Sequence, residues 1–305
     1  MKRAAMIILT VAVASSAFAL QSTPAKPSQP SGQSNPAQQG TSPQSSTPAQ
    51  GKRPPQAKTQ PEFDAYQAAM KNANDPAALE KSADEFAAKF PDSELRGLLY
   101  RTAMHGYQNV NNADKMREMA EKELKIDADD PEALIGAAEV IAERTRDTDL
   151  DKDERWAQAQ KDAQHALQTV DTDVAIPAGV PQEEIDAYKG FLRSAAYSIL
   201  GTIAFSQEKY PDAEGYFHKS IEAYPAQVDP VVVLRLAIAL DKQSRYPDAL
   251  KEANHAVELT QENTSAGTLA RRERDRLLQL TGGSNPSPAP KPPAGAAPNP
   301  NPPSH

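Results

Sequence analysis

Alternating acids make Asp147-Thr-Asp-Leu-Asp-Lys-Asp-Glu154 the stretch best suited to chemistry. Carboxylates spaced this way are how a loop offers oxygen ligands to a hard cation such as calcium. Such a loop also needs a glycine at its sharp turn and a closing glutamate, and Lys152 and Gln158 stand there instead. The stretch therefore reads as a solvated acidic insertion, with calcium the alternative. The histidines are His105, His165, His218, His255 and His305, and no two sit three or four residues apart. That spacing is what one helix needs to present two imidazoles to a metal. The chain has no cysteine, which excludes disulfides, thiolate nucleophiles, thiolate metal sites and a lipidated cysteine anchor. There is no phosphate-binding loop, nucleophile elbow or paired-glycine dinucleotide turn. No catalytic residue, metal or cofactor is expected.

The elements around these residues are helical. Glu62 to Leu280 shows helical periodicity throughout, with no period-two stretch bounded by turn residues. Asp75-Pro76, Asp130-Pro131 and Asp229-Pro230 each pair an N-cap acceptor with a proline in the first turn, a helix start signal. Gly282-Gly283 can stop the last helix. The 27 prolines crowd into the two ends, which otherwise hold mostly Ser, Gln, Ala, Gly, Thr and Asn with a few lysines and Arg53. Such composition cannot bury enough surface to offset its ordering entropy, so residues 20–61 and 281–305 are expected to be disordered. Residues 1–19 resemble a secretory leader: Lys2 and Arg3, an apolar run from Ala4 to Ala14, and Ala17-Phe-Ala19 as the cleavage site. The mature chain is expected to be exported, to the periplasm or beyond, with no transmembrane segment. Net charge is −8, and loss of Lys2 and Arg3 makes it more acidic, so nucleic acid is not an expected partner.

A repeat underlies the helical region. Gln207-Glu-Lys-Tyr-Pro-Asp-Ala213 recurs as Gln243-Ser-Arg-Tyr-Pro-Asp-Ala249, offset by 36 residues. At the same offset Leu200 meets Leu236 and Gly201 meets Ala237. In each copy an apolar helix, a short turn and a second amphipathic helix follow one another.

Residues 194–227 resemble a tetratricopeptide repeat. They carry Tyr197, Leu200 and Gly201 in the first helix, Tyr210 and Ala213 in the second, then Phe217 and a closing Pro225. Gly201 and Ala213 leave room for two helices to cross closely, while the larger residues fill around them. Residues 230–263 keep Leu236, Ala237, Tyr246, Ala249 and Ala256. Weaker copies cover 97–130, where Met104 replaces the small residue, then 131–170 with the acidic insertion, and 63–91. The stretch 171–181 breaks the array, and helix is expected to resume near Gln182. The expected fold is all-α: a right-handed α-solenoid of about five repeats over residues 62–280, ending in a capping helix with Leu269, Leu277 and Leu280 at helical spacing.

The resemblance implies a binding scaffold whose first helices line a concave groove. It places Arg101, His105, Gln108, Glu139, Ser198, Thr202 and Phe205 in that groove, together with Leu98, Glu132, Ile135, Leu234, Ile238 and Asp241. The implied partner is a protein or peptide. The Lys and Asn set with which some family members clamp a terminal carboxylate is missing, since Glu132 and Glu139 stand in the third repeat. A structural envelope protein that self-assembles or contacts cell-wall polymer is the alternative, and an enzyme hidden in the helices a third.

Overall fold

Helix starts follow the local chemistry of the chain. In the computed structural model, which describes residues 51–283, the side chains of Asp75, Asp130 and Asp229 each accept from a first-turn N–H, with proline next. Thr59, Asn112 and Thr264 cap three more helices in the same way. The elements are α1 (Gln60–Met70), α2 (Pro76–Lys89), α3 (Leu95–Asn109), α4 (Ala113–Leu124), α5 (Pro131–Arg144), α6 (Lys152–Thr169), α7 (Gln182–Ser206), α8 (Tyr210–Ala223), α9 (Pro230–Lys242), α10 (Tyr246–Glu258) and α11 (Ser265–Leu280). No strand occurs among the described residues. The leader, the linker up to residue 50 and the tail from 284 lie outside them.

The helices form a solenoid of five pairs closed by α11. Each helix packs on the next in sequence. First helices of successive pairs also touch one another, whereas the second helices have at most marginal contact. The stack therefore curves with α1, α3, α5, α7 and α9 on its inner side. Close crossings depend on missing side chains. A Cβ on Gly201 would stand 2.5 Å from Cε1 of Phe217, a ring with no exposed surface. In the second pair, where Met104 takes the small position, the space comes from the next repeat: a Cβ on Gly136 would stand 2.6 Å from the Met104 sulfur. Three of the five turns between paired helices, α3–α4, α7–α8 and α9–α10, use a left-handed residue at matching positions, Asn111, Glu208 and Ser244.

Three expectations are corrected. Residues 51–61, assigned to a disordered linker, are ordered: α1 begins at Gln60, and the preceding segment lies against the array through backbone and charged contacts. Composition weighs core-forming side chains, and this segment is held by groups of another kind. Leu269 and Leu280 do not pack inward; they are 53% and 51% exposed, and α11 caps the stack with Gly267, Ala270 and Leu277. Leu98, Ile135 and Leu234, placed in the groove, are buried core residues. The break at 171–181 and the long α7 from Gln182 match the sequence reading. No helix among the described residues is long and apolar enough to cross a membrane.

Candidate functional site

The inner row of helices is tied together by side chains one repeat apart. Arg101 on α3 donates to Glu132 on α5 at 2.9 Å, and Gln108 donates to Glu139 at 3.2 Å. Both pairs are 31 residues apart in sequence. On the next helices Arg235 of α9 donates to Thr202 of α7 at 2.9 Å and to Glu143 of α5 at 2.7 Å. Thr202 in turn donates to the Ser198 carbonyl, and Phe205 meets Tyr210 edge to face with centroids 5.5 Å apart. Ser198, Thr202 and Phe205 are half-buried on this face, and Glu143 is exposed.

The α3–α5 part of the row is a buried charge network. The Arg101 side chain is 13% exposed and also reaches Asp130 at 3.2 Å. His105 Nε2 lies 2.8 Å from the second oxygen of Glu132, and its Nδ1 is buried with no hydrogen-bond partner. Tyr188, carried here by the N-terminal extension of α7, also hydrogen-bonds Glu132. Burial works against a charge on Glu132, yet Arg101 and His105 outweigh it and hold the carboxyl well below the usual range. Burial likewise opposes the charge on Arg101, but Asp130, Glu132 and Glu123 raise its pKa. Glu123, 2% exposed on α4, goes the other way: burial, then Asp130 beside it, pushes it up to about 8. Burial also raises Glu139, and Glu143 and Asp229 add to the shift.

Arg101, His105, Gln108 and Glu139 are thus brought together on one face. They are not free contact residues, however. A spacing close enough to stack first helices side by side also lets their long side chains pair across it. Asp130, Glu123 and Tyr188 were missed as members of the network. The recurring 31-residue separation of long polar residues was the signal that could have tied Arg101 to Glu132.

The other candidate centres resolve differently. In the acidic insertion, Asp149 accepts from the Arg146 backbone and pairs with Arg155 at 3.3 Å. Among the described residues, the acids whose carboxylate oxygens all lie within 4.8 Å of one another are Glu123, Asp127 and Asp130, outside that insertion. His165 pairs with Asp129 at 2.8 Å. Trp156 is core.

No family model matches the chain, and no curated protein does. Among solved structures it is similar to one described as a functional characterization of Pseudomonas aeruginosa pilF. The identity is 17%, with 74% of this chain and 96% of that chain covered, at a TM-score of 0.47. It is also similar to residues 1–338 of Acl4, described as an assembly chaperone of RpL4. There the identity is 12%, with 72% and 97% covered, at a TM-score of 0.39. Both likenesses are distant, and neither bears on what this chain binds.

Proposed function

We propose that the chain is an exported, non-catalytic scaffold of tetratricopeptide type that holds a protein or peptide along its inner row of helices. The observation that carries this reading is the acid excess there. Glu132, Glu139, Glu143 and Asp229 stand against Arg101, His105 and Arg235 there. Negative charge that the fold itself leaves under-compensated favours a cationic segment. Thr202 and Phe205 lie half-buried on the same face, engaged with Ser198, Arg235 and Tyr210. Export rests on the leader sequence, and the scaffold role on the tetratricopeptide-like repeat pattern.

The test neutralises Glu139 and Glu143 together as Glu139→Gln and Glu143→Gln, which keeps size and hydrogen bonding. A partner isolated from envelope extract on the wild-type chain is then titrated against both proteins. Affinity should fall about tenfold, and more steeply at low salt. A folded double variant with wild-type affinity moves the binding site off the inner row.

A further inference from the structure

Residues 51–58 lie as an extended strap across a cleft bounded by α3, α4 and the α6–α7 connection. Lys52 donates its backbone N–H to Val174 at 3.0 Å, and Ile176 donates to the Lys52 carbonyl at 3.2 Å, a one-residue parallel bridge. The Lys52 ammonium reaches Asp127 at 2.5 Å and Asp173 at 3.8 Å. Arg53 grips Glu94 with both terminal nitrogens, at 2.9 and 2.6 Å, and Lys58 donates to the Asp92 carbonyl at 2.7 Å. Gly51 makes close approach possible, since a Cβ there would stand 2.8 Å from the Val174 carbonyl oxygen. Pro54 and Pro55 follow and have no N–H, so strand-like pairing stops after Lys52.

One pair of backbone bonds seats the strap on the 174–176 loop, and charged side chains on either side hold it. Two features mark the strap as an exchangeable occupant. Its grip is charged and solvent-reachable, with Lys52 42% and Arg53 64% exposed, and such pairs hold weakly. It also leaves the cleft underfilled: a cavity of about 290 Å³ remains beside it, lined by Glu94, Gly97, Glu123, Asp127, Asp130 and Asp173 among others. Five carboxyl groups there face the three cations Lys52, Arg53 and Arg101.

We propose that this cleft is a docking site for an extended peptide of another protein, carrying adjacent basic residues followed by proline, and that residues 51–58 occupy it in cis. The tether gives the strap a high effective concentration, so a partner's segment must outcompete it or meet it already lifted. Arg101, Glu123 and Asp130 border both sites, but the acids that meet the strap's cations are Glu94, Asp127 and Asp173 rather than Glu139 and Glu143, so variants of these two sets test the cleft and the inner row separately.

The probe is a fluorescent synthetic peptide copying residues 49–60, titrated by anisotropy against the full chain. Lys52→Glu with Arg53→Glu lifts the strap, and circular dichroism checks the fold. The peptide should bind this variant at least roughly tenfold more tightly than wild type, because the tethered competitor is gone. Adding Asp127→Asn and Asp173→Asn should abolish that gain, and a peptide with glutamates in place of its Lys-Arg pair should not bind. If the charge-reversed variant does not fold, Gly51→Val lifts the strap sterically and should give the same gain. Equal binding to wild type and a lifted variant, or binding that survives loss of Asp127 and Asp173, overturns the proposal.

Discussion

At the scale of single residues, the network on α3, α4 and α5 has a pH signature. Glu123 sits in a buried site beside Asp130, and its pKa stands at about 8 against 4.5 for the free side chain. A group raised in the folded state favours folding only while protonated. Its contribution is complete below about pH 4.5 and is lost as pH rises through about 8. Glu132 is shifted downward, so its contribution is lost on acidification, outside that window. Glu123→Gln keeps the group neutral at every pH. Urea melts at pH 6 and pH 9 should show wild-type stability falling on the order of 1–3 kcal/mol, the scale of a buried polar group left uncompensated, and the variant losing much less. Parallel losses in both proteins would mean that Glu123 is already ionised at pH 6.

At the scale of elements, helix crossings set what the repeat tolerates. Gly201 on α7 faces the Phe217 ring of α8, and a Cβ would already stand 2.5 Å from it. The ring is fully buried and cannot swing into solvent. Gly201→Leu should therefore force α7 and α8 apart and destabilise the fold by about 1–3 kcal/mol, measured by urea denaturation. An unchanged midpoint would mean that the crossing is looser than the distances imply. The Gly136 and Met104 contact applies the same rule between repeats, with the small residue on the neighbouring helix.

At the scale of the whole molecule, a stack needs an end. Leu277 of α11 is fully buried with Leu240 and Leu250, and Ala270 packs on Val233, Leu234 and Ala256. Arg276 adds a 2.6 Å ion pair to Asp241 of α9. A chain ending before Ser265 exposes that apolar face. It should lose several degrees of melting temperature and bind a hydrophobic dye, as expected for a repeat array without its cap. A truncated chain that melts like wild type and stays dye-free would show that α11 is an appendage.

How much could be read beforehand depends on the range of the interaction. Helix starts at Asp75, Asp130 and Asp229, the repeat phase through Tyr210 and Tyr246, and the close crossing at Gly201 were legible because each is set within one turn or one repeat. The inward face of α11 was not: Leu269, Leu277 and Leu280 share a helical spacing, and only docking on α9 and α10 selected Ala270 and Leu277. The same holds for charge. Sequence alone identified Arg101, His105 and Glu139 as polar residues beside an apolar stripe, and placed Lys52 and Arg53 in a linker of disordered composition. Tertiary structure decided which of these charges meet a partner. Arg101 reaches Glu132 from 31 residues away and Lys52 reaches Asp127 from 75. Pairing over such separations depends on how helices stack: the repeat spacing hints at the first pair, and nothing in the residue pattern sets Lys52 against Asp127.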